Sequence, residues 1–165
     1  MIISGKMIQE FKHKLLSGKP CMIHDEFKDG MELFCRYLEL SGCKALITSS
    51  YRENTQVTGS IVKPATRSNH LIGCAIDVNI YDKKNLLWNS DALNVFSPES
   101  KTYNPKITGE VLMLINLIRR CNSLRWGGDF HPDRKGNTDP VHFDNALNIK
   151  SPTRWDEIYN EIHPS

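Results

Sequence analysis

The sequence lacks any apolar run approaching the ~20 residues that a membrane-spanning helix needs, and its opening, MIISGKMIQEFKHKLL, lacks the apolar stretch of a signal peptide. Synthesis in the cytoplasm is expected, and action on an external substrate in the periplasm or outside the cell would then need a non-classical export route. Charge of one sign is also scarce. Lys and Arg number 21 and Asp and Glu 19, a net charge of +2 that selects no nucleic acid and does not hinder approach to an anionic cell-wall polymer. The five cysteines, Cys21, Cys35, Cys43, Cys74 and Cys121, are odd in number and contain no C-x-x-C pair. That pattern argues against a disulfide framework and a thiolate zinc site, and implies reduced, mostly buried thiols. No repeat, low-complexity segment or shift in composition marks a boundary. The 165 residues are therefore read as one domain, long enough to bury a core without staples.

Hydrophobic periodicity supplies the elements. Met7, Phe11 and Leu15, spaced by four behind Ser4, predict a helix over 4–17 that ends at Gly18 and Pro20. A stronger helical face follows in Phe27, Met31, Phe34 and Leu38, with Gly42 placed as its C-terminal cap. KALIT at 44–48 reads as a short buried strand and 60–69 as a loop. From 74 to 80 the alternation sends Cys74, Ile76, Val78 and Ile80 to one face and Ala75, Asp77 and Asn79 to the other. Residues 82–107 are polar, with Pro98 and Pro105, and read as a long excursion that could form a rim or lid.

Helix returns after Thr108 on Val111, Leu114, Ile115 and Ile118, with Arg119 and Arg120 in its last turn. A short strand is predicted over 124–127. At 140–144 Val141 and Phe143 point one way, His142 and Asp144 the other. Ser151 and Pro152 open a final helix carrying Trp155, Ile158, Tyr159 and Ile162 on one face. Helices outside a small, mostly antiparallel sheet give an α+β class, with a metal site on the sheet face.

Two side chains with metal-binding chemistry, Asp77 and His142, thus lie on strand faces opposite the apolar residues. A catalytic zinc typically takes three ligands drawn from His and carboxylates and keeps one position open. His70 is the candidate third ligand. It stands seven residues before Asp77, a spacing that neither a straight strand nor one helix face aligns, and Gly73 supplies a bend. His13, His24 and His163 have no such context and are read as surface residues; His131 is ambiguous.

S-x-H-x-x-G-x-A-x-D, present as Ser68, His70, Gly73, Ala75 and Asp77, is followed by W-G-G-D-F at 126–130 and D-x-x-H-F at 139–143. This order resembles the zinc peptidases of the VanY and D-alanyl-D-alanine carboxypeptidase family, which includes phage endolysins cleaving the L-alanyl-D-glutamate bond. Ser50, Tyr51 and Arg52, with Gln56 beyond, are similar to a further family element. The resemblance spans roughly 44–144. It implies one Zn²⁺ per chain on His70, Asp77 and His142, a proton-transferring Asp139 where the family has Glu or Asp, and Arg52 facing the substrate to stabilise an oxyanion or hold a carboxylate.

Gln56 and Ser68 are weaker candidates, as substrate contacts or as hydrogen-bond partners of the ligands. Trp126 is a candidate on the site wall, with Gly127 and Gly128 admitting substrate, although a core Trp beside a turn fits equally. Asp129 could orient a ligand histidine or cap a turn. The implied function is hydrolysis of peptidoglycan stem peptides, as an L-Ala–D-Glu endopeptidase or a D,D-carboxypeptidase, in an endolysin or antibacterial effector with an immunity or delivery protein as partner. No nucleic acid or membrane partner is expected. Two other readings stay open: a non-catalytic, metal-stabilised binding module and a cytoplasmic D-Ala-D-Ala dipeptidase.

Overall fold

The computed structural model describes residues 7–54, 67–94, 107, 109–130 and 138–164. Its central strand is β5 (Ala75–Tyr81). Ile76, Val78 and Ile80 on one face of β5 are essentially inaccessible, whereas Asp77, Asn79 and Tyr81 on the other are partly exposed. The sheet runs in the order β2 (Leu16–Gly18), β4 (Lys44–Ser49), β5, β8 (His142–Asp144), β7 (Arg125–Trp126), with β6 (Leu87–Trp88) also pairing with β5. Only the β2–β4 pair among these is parallel. The α+β class with a mostly antiparallel sheet is as the sequence predicts.

Two helices cover the apolar face. In α1 (Lys28–Ser41) Met31, Phe34, Cys35 and Leu38 are buried, and Gly42 closes the helix in the left-handed region at φ 78°, as its position predicts. In α3 (Gly109–Arg120) Val111, Leu114, Ile115 and Ile118 are buried, the four residues that the helical period selects. They share one core with Ala45 and Ile47 of β4, Ile76, Val78 and Ile80 of β5, and Phe143 of β8, whose ring lies 5.1 Å from that of Phe34. Fully burying such a side chain contributes about 1.5–3 kcal/mol, so the sheet is seated by one face and leaves the other free for polar chemistry. All five cysteines are free and four are buried. Burial pushes the thiols of Cys21, Cys35 and Cys74 up to about 12, so these three pack as small hydrophobes and are poor nucleophiles at neutral pH.

The N-terminal helix is not there. Residues 8–10 form β1 (Ile8–Glu10), antiparallel to β3 (Met22–His24), and β2 adds to the edge of β4 in register Leu16↔Ala45 to Gly18↔Ile47. Three apolar residues spaced by four give a weak helical stripe, and backbone pairing with two other segments outweighs it. Ser4 lies outside the described residues. The polar excursion after Tyr81 starts as the β5–β6 hairpin and a short α2 (Ser90–Leu93); 95–106 lie outside the described residues. After β8 come α4 (Leu147–Lys150) and α5 (Pro152–Ile162), where Pro152 occupies the first turn but the Ser151 side chain makes no capping bond. Among the described residues no helix is long and apolar enough to cross a membrane.

A 3-10 turn, Asn69–Ile72, delivers His70 to the polar end of β5, and Gly73 ends that turn at φ 69°. A Cβ at Gly73 would lie 2.6 Å from the backbone nitrogen of His24. Both the positive φ and this contact require glycine. Gly73→Ala is expected to destabilise the fold by more than about 1 kcal/mol in urea titration; an unchanged midpoint would show that the bend tolerates a side chain.

Candidate metal centre

Register creates the site. Antiparallel pairing sets Asp77 of β5 directly opposite His142 of β8, with both side chains on the face away from the core. The turn before Gly73 folds His70 back over the same spot. His70 Nε2 lies 3.2 Å from Asp77 Oδ1 and 3.2 Å from His142 Nδ1, and His142 Nδ1 lies 3.3 Å from Asp77 Oδ1. Among the described residues these three form the one cluster of such side chains close enough to share a metal ion.

The outward atoms of all three are committed elsewhere. His70 Nδ1 faces the Ser50 carbonyl at 2.7 Å; a carbonyl only accepts, so Nδ1 carries the proton and Nε2 presents a lone pair to the cluster. His142 Nε2 lies 2.7 Å from Asp144 Oδ2, which likewise assigns the proton to Nε2 and the lone pair to Nδ1. Arg52 Nη2 donates to Asp77 Oδ2 at 2.6 Å, leaving Oδ1 facing inward, and Arg52 Nε donates to Ser49 Oγ.

Two nitrogen lone pairs and one carboxylate oxygen therefore converge within 3.3 Å of one another. That arrangement repels itself unless a proton or a cation stands among the three atoms. The chemistry of the donor set, His₂Asp with outer hydrogen bonds fixing each tautomer, fits a divalent metal.

The electrostatics follow the same logic. Burial disfavours a charged His142, but the carboxylates of Asp144 and Asp77 outweigh it and push the imidazole up to about 10. Burial likewise opposes ionisation of Asp77 and Asp144, yet His70 and His142 around Asp77, and His142 and Arg125 around Asp144, hold both well below the usual carboxylate range. Asp139 is different. Burial, then the charge of Asp77, raise its carboxyl above the ordinary range, and its Oδ2 stands 4.0 Å from His142 Nδ1 with the side chain still 37% exposed.

Backbone geometry explains how Asp139 gets there. Its N–H donates to the Gly127 carbonyl and its carbonyl accepts from the His142 N–H. A Cβ at Gly127 would lie 2.1 Å from the Asp139 carbonyl oxygen and 2.9 Å from His142 Cβ. The glycine thus admits the Asp139 backbone, in space that the sequence suggests is open to substrate.

Other expectations change as well. Trp126 is a core residue, 2% exposed, whose indole N–H donates to the Pro140 carbonyl; it supports the loop from below and has no surface to offer a substrate. Asp129 forms a paired ion contact with Arg119 and does not touch a ligand histidine. Ser68 caps the 3-10 turn by accepting from the His70 N–H. His24 is buried and caps the turn at Asp25–Phe27, and His163 Nε2 meets the Leu71 carbonyl, so neither belongs to the free surface. Gln56 and His131 lie outside the described residues.

Sequence reasoning missed Asp144, Asn69 and the Ser50 carbonyl. Asp144 shares a face of β8 with His142 by alternation, and a carboxylate two positions beyond a candidate ligand is the available signal. The other two offered none: the Ser50 carbonyl has no residue signature, and the Asn69 side chain donates to Asp144 across 75 positions of sequence.

Residues 62–145 match the profile of a family described as D-alanyl-D-alanine carboxypeptidase. The chain belongs to this peptidase family. The match takes in His70, Asp77, Asp139 and His142, and it leaves Arg52 and α5 outside. No curated protein matches the chain.

Stability should carry the imprint of the cluster when metal is stripped. The folded value of His142 lies above its unfolded value of about 6.5, so its contribution is complete below that pH and is lost as pH rises toward about 10. Asp144 acts in the opposite sense: its contribution is complete above about 3.9 and is lost in acid. In excess chelator the thermal midpoint is expected to be highest between about pH 4 and 6.5 and to fall from about 7 to 10. A flat midpoint over that upper range would mean that folded His142 is neutral.

Proposed function

We propose that the protein is a zinc-dependent peptidase that hydrolyses peptidoglycan stem peptides, with His70, Asp77 and His142 as metal ligands and Asp139 as the proton-transferring residue. The observation that carries the reading is the convergence of three fixed donor atoms beside a second carboxylate, Asp139, whose Oδ2 stands 4.0 Å from His142 Nδ1. A purely structural metal site has no use for Asp139, and this disfavours the non-catalytic binding module.

When bound, zinc supplies Lewis acidity to the attacking water and the scissile carbonyl. Asp139, partly exposed and with a raised pKa, accepts a proton from the water and returns it to the leaving amine, a role typically worth ~10²–10⁴-fold. Arg52 holds Asp77 in place through Nη2 and is itself braced by Nε on Ser49 Oγ. Its Nη1 has no partner among the described residues and is available to a substrate oxygen, whether the developing oxyanion or a terminal carboxylate.

The family description supports D-Ala-D-Ala as the bond cleaved. The Asp at 139, with its short side chain, favours the endolysin-type L-Ala–D-Glu cut as the second reading. Digestion of purified sacculi followed by mass spectrometry separates them: loss of one alanine marks a carboxypeptidase, and release of the stem from its L-alanine marks an endopeptidase. Free D-Ala-D-Ala as substrate tests the dipeptidase reading. Chelator should abolish each activity and zinc restore it.

Asp139→Asn is expected to lower kcat by about 10²–10⁴-fold with zinc near one per chain by metal analysis; loss of the metal would mean that Asp139 is a ligand. His142→Ala should lose both metal and activity, and a fully active variant would sink the site. Gly127→Ala should displace the Asp139 backbone and cost about 10²-fold in kcat with zinc retained; a wild-type rate would show that the loop does not depend on this contact.

A further inference from the structure

Asn69 sits between the serine and the histidine of the first motif and is 2% exposed. Its side chain spends every polar group. Nδ2 donates to Asp144 Oδ2 at 3.1 Å and to Asn148 Oδ1 at 3.0 Å, and Oδ1 accepts from the Asn148 N–H at 3.1 Å. Its backbone carbonyl accepts from Cys74 N–H beyond the Gly73 bend.

Asp144 Oδ2 is the oxygen that receives His142 Nε2–H. The same carboxylate takes Arg125 Nε and Nη2 at 3.0 and 2.7 Å and the Ala146 N–H at 2.8 Å. Asn69 therefore stands one peptide bond from one ligand histidine and one hydrogen bond from the carboxylate that orients the other. Asn148, from α4 beyond the family match, completes the clasp and also donates to the Arg67 carbonyl at the entrance of the turn.

We infer that Asn69, clasped by Asn148, is a positioning residue that locks the His70 turn to the Asp144–His142 pair and so fixes the separation of the two histidine nitrogens. A buried amide of this kind has one orientation that satisfies all its bonds. The two imidazoles reach the cluster from different parts of the chain, His70 from the turn and His142 from β8, and besides the sheet the Asn69–Asp144 bond joins the turn to the carboxylate that orients His142. The inference rests on the reading of His70, Asp77 and His142 as metal ligands.

The test measures zinc affinity by chelator competition, and the visible spectrum of the cobalt-substituted protein, for the wild type, Asn69→Ala and Asn148→Ala. Folding is checked by circular dichroism, and affinity is measured well below each thermal midpoint. Folded Asn69→Ala is expected to bind zinc about 10–100-fold more weakly, with an altered cobalt spectrum; Asn148→Ala, which keeps the backbone donor to Asn69, should show a smaller loss in the same direction. A lowered midpoint with unchanged affinity and spectrum would make Asn69 merely stabilising and would overturn the inference. Should Asn69→Ala fail to fold, unchanged affinity in Asn148→Ala overturns it. Wild-type protein that binds neither metal would overturn the reading of the site as well, an outcome distinct from wild-type binding with unaffected variants.

Discussion

Everything in the site depends on one strand register, the pairing of Asp77 with His142. In antiparallel strands directly opposed residues share a face, and a slip by one residue would send one of the two into the core. The apolar side forbids that slip. Ile76 and Val78 on β5 and Phe143 on β8 are all buried beneath α1 and α3, and turning any of these strands over would expose them and bury an unpaired carboxylate. The hydrophobic core therefore sets the position of the polar site.

A second layer then decides what the three side chains can bind. Three groups that can each carry or accept a proton are converted into three inward acceptors by partners that lie outside the cluster: the Ser50 carbonyl, Asp144 and Arg52. Ser50 is itself held, its hydroxyl accepting from Met22 N–H and donating to the Pro20 carbonyl. The segment after β4 thus contributes three consecutive functions, an acceptor at Ser50, a packed ring at Tyr51 and a guanidinium at Arg52, because backbone bonds to Met22 and His70 fix its path. Which ring nitrogen a histidine turns toward the cluster is a property of this outer layer more than of the histidine.

How much of this was legible follows from which interactions have a sequence period. The β5 and β8 faces, the α1 and α3 stripes and the Gly42 and Gly73 punctuation were readable, because each rests on spacing within one segment. Asp77 and His142 could be given directions for the same reason. The N-terminal strands were not readable: their residues are held by pairing with distant segments, and three apolar residues at a spacing of four suggest a helix that backbone pairing overrides. Asn69 was hidden because a hydrogen bond between side chains 75 positions apart leaves no trace in local order. Trp126 was misleading for a related reason, since nothing in its own segment tells whether an aromatic beside two glycines faces the core or the cleft.

The short side chain at 139 is the point where local order and the proposed proton transfer meet. An aspartate reaches one methylene less far than a glutamate, so its backbone must stand closer to the His70–Asp77–His142 cluster for the carboxyl to serve the same space. Gly127 provides that approach, because any Cβ there would collide with the Asp139 carbonyl and with His142. The loop is further pinned by Asp139 N–H on the Gly127 carbonyl, His142 N–H on the Asp139 carbonyl, and Trp126 Nε1 on the Pro140 carbonyl. Of the glycine pair that the sequence suggests is opened for substrate, Gly127 makes room for backbone and Gly128 for the Trp126 ring. An aspartate at 139 and a glycine at 127 are in this sense one feature, and neither accounts for the position of the carboxyl without the other.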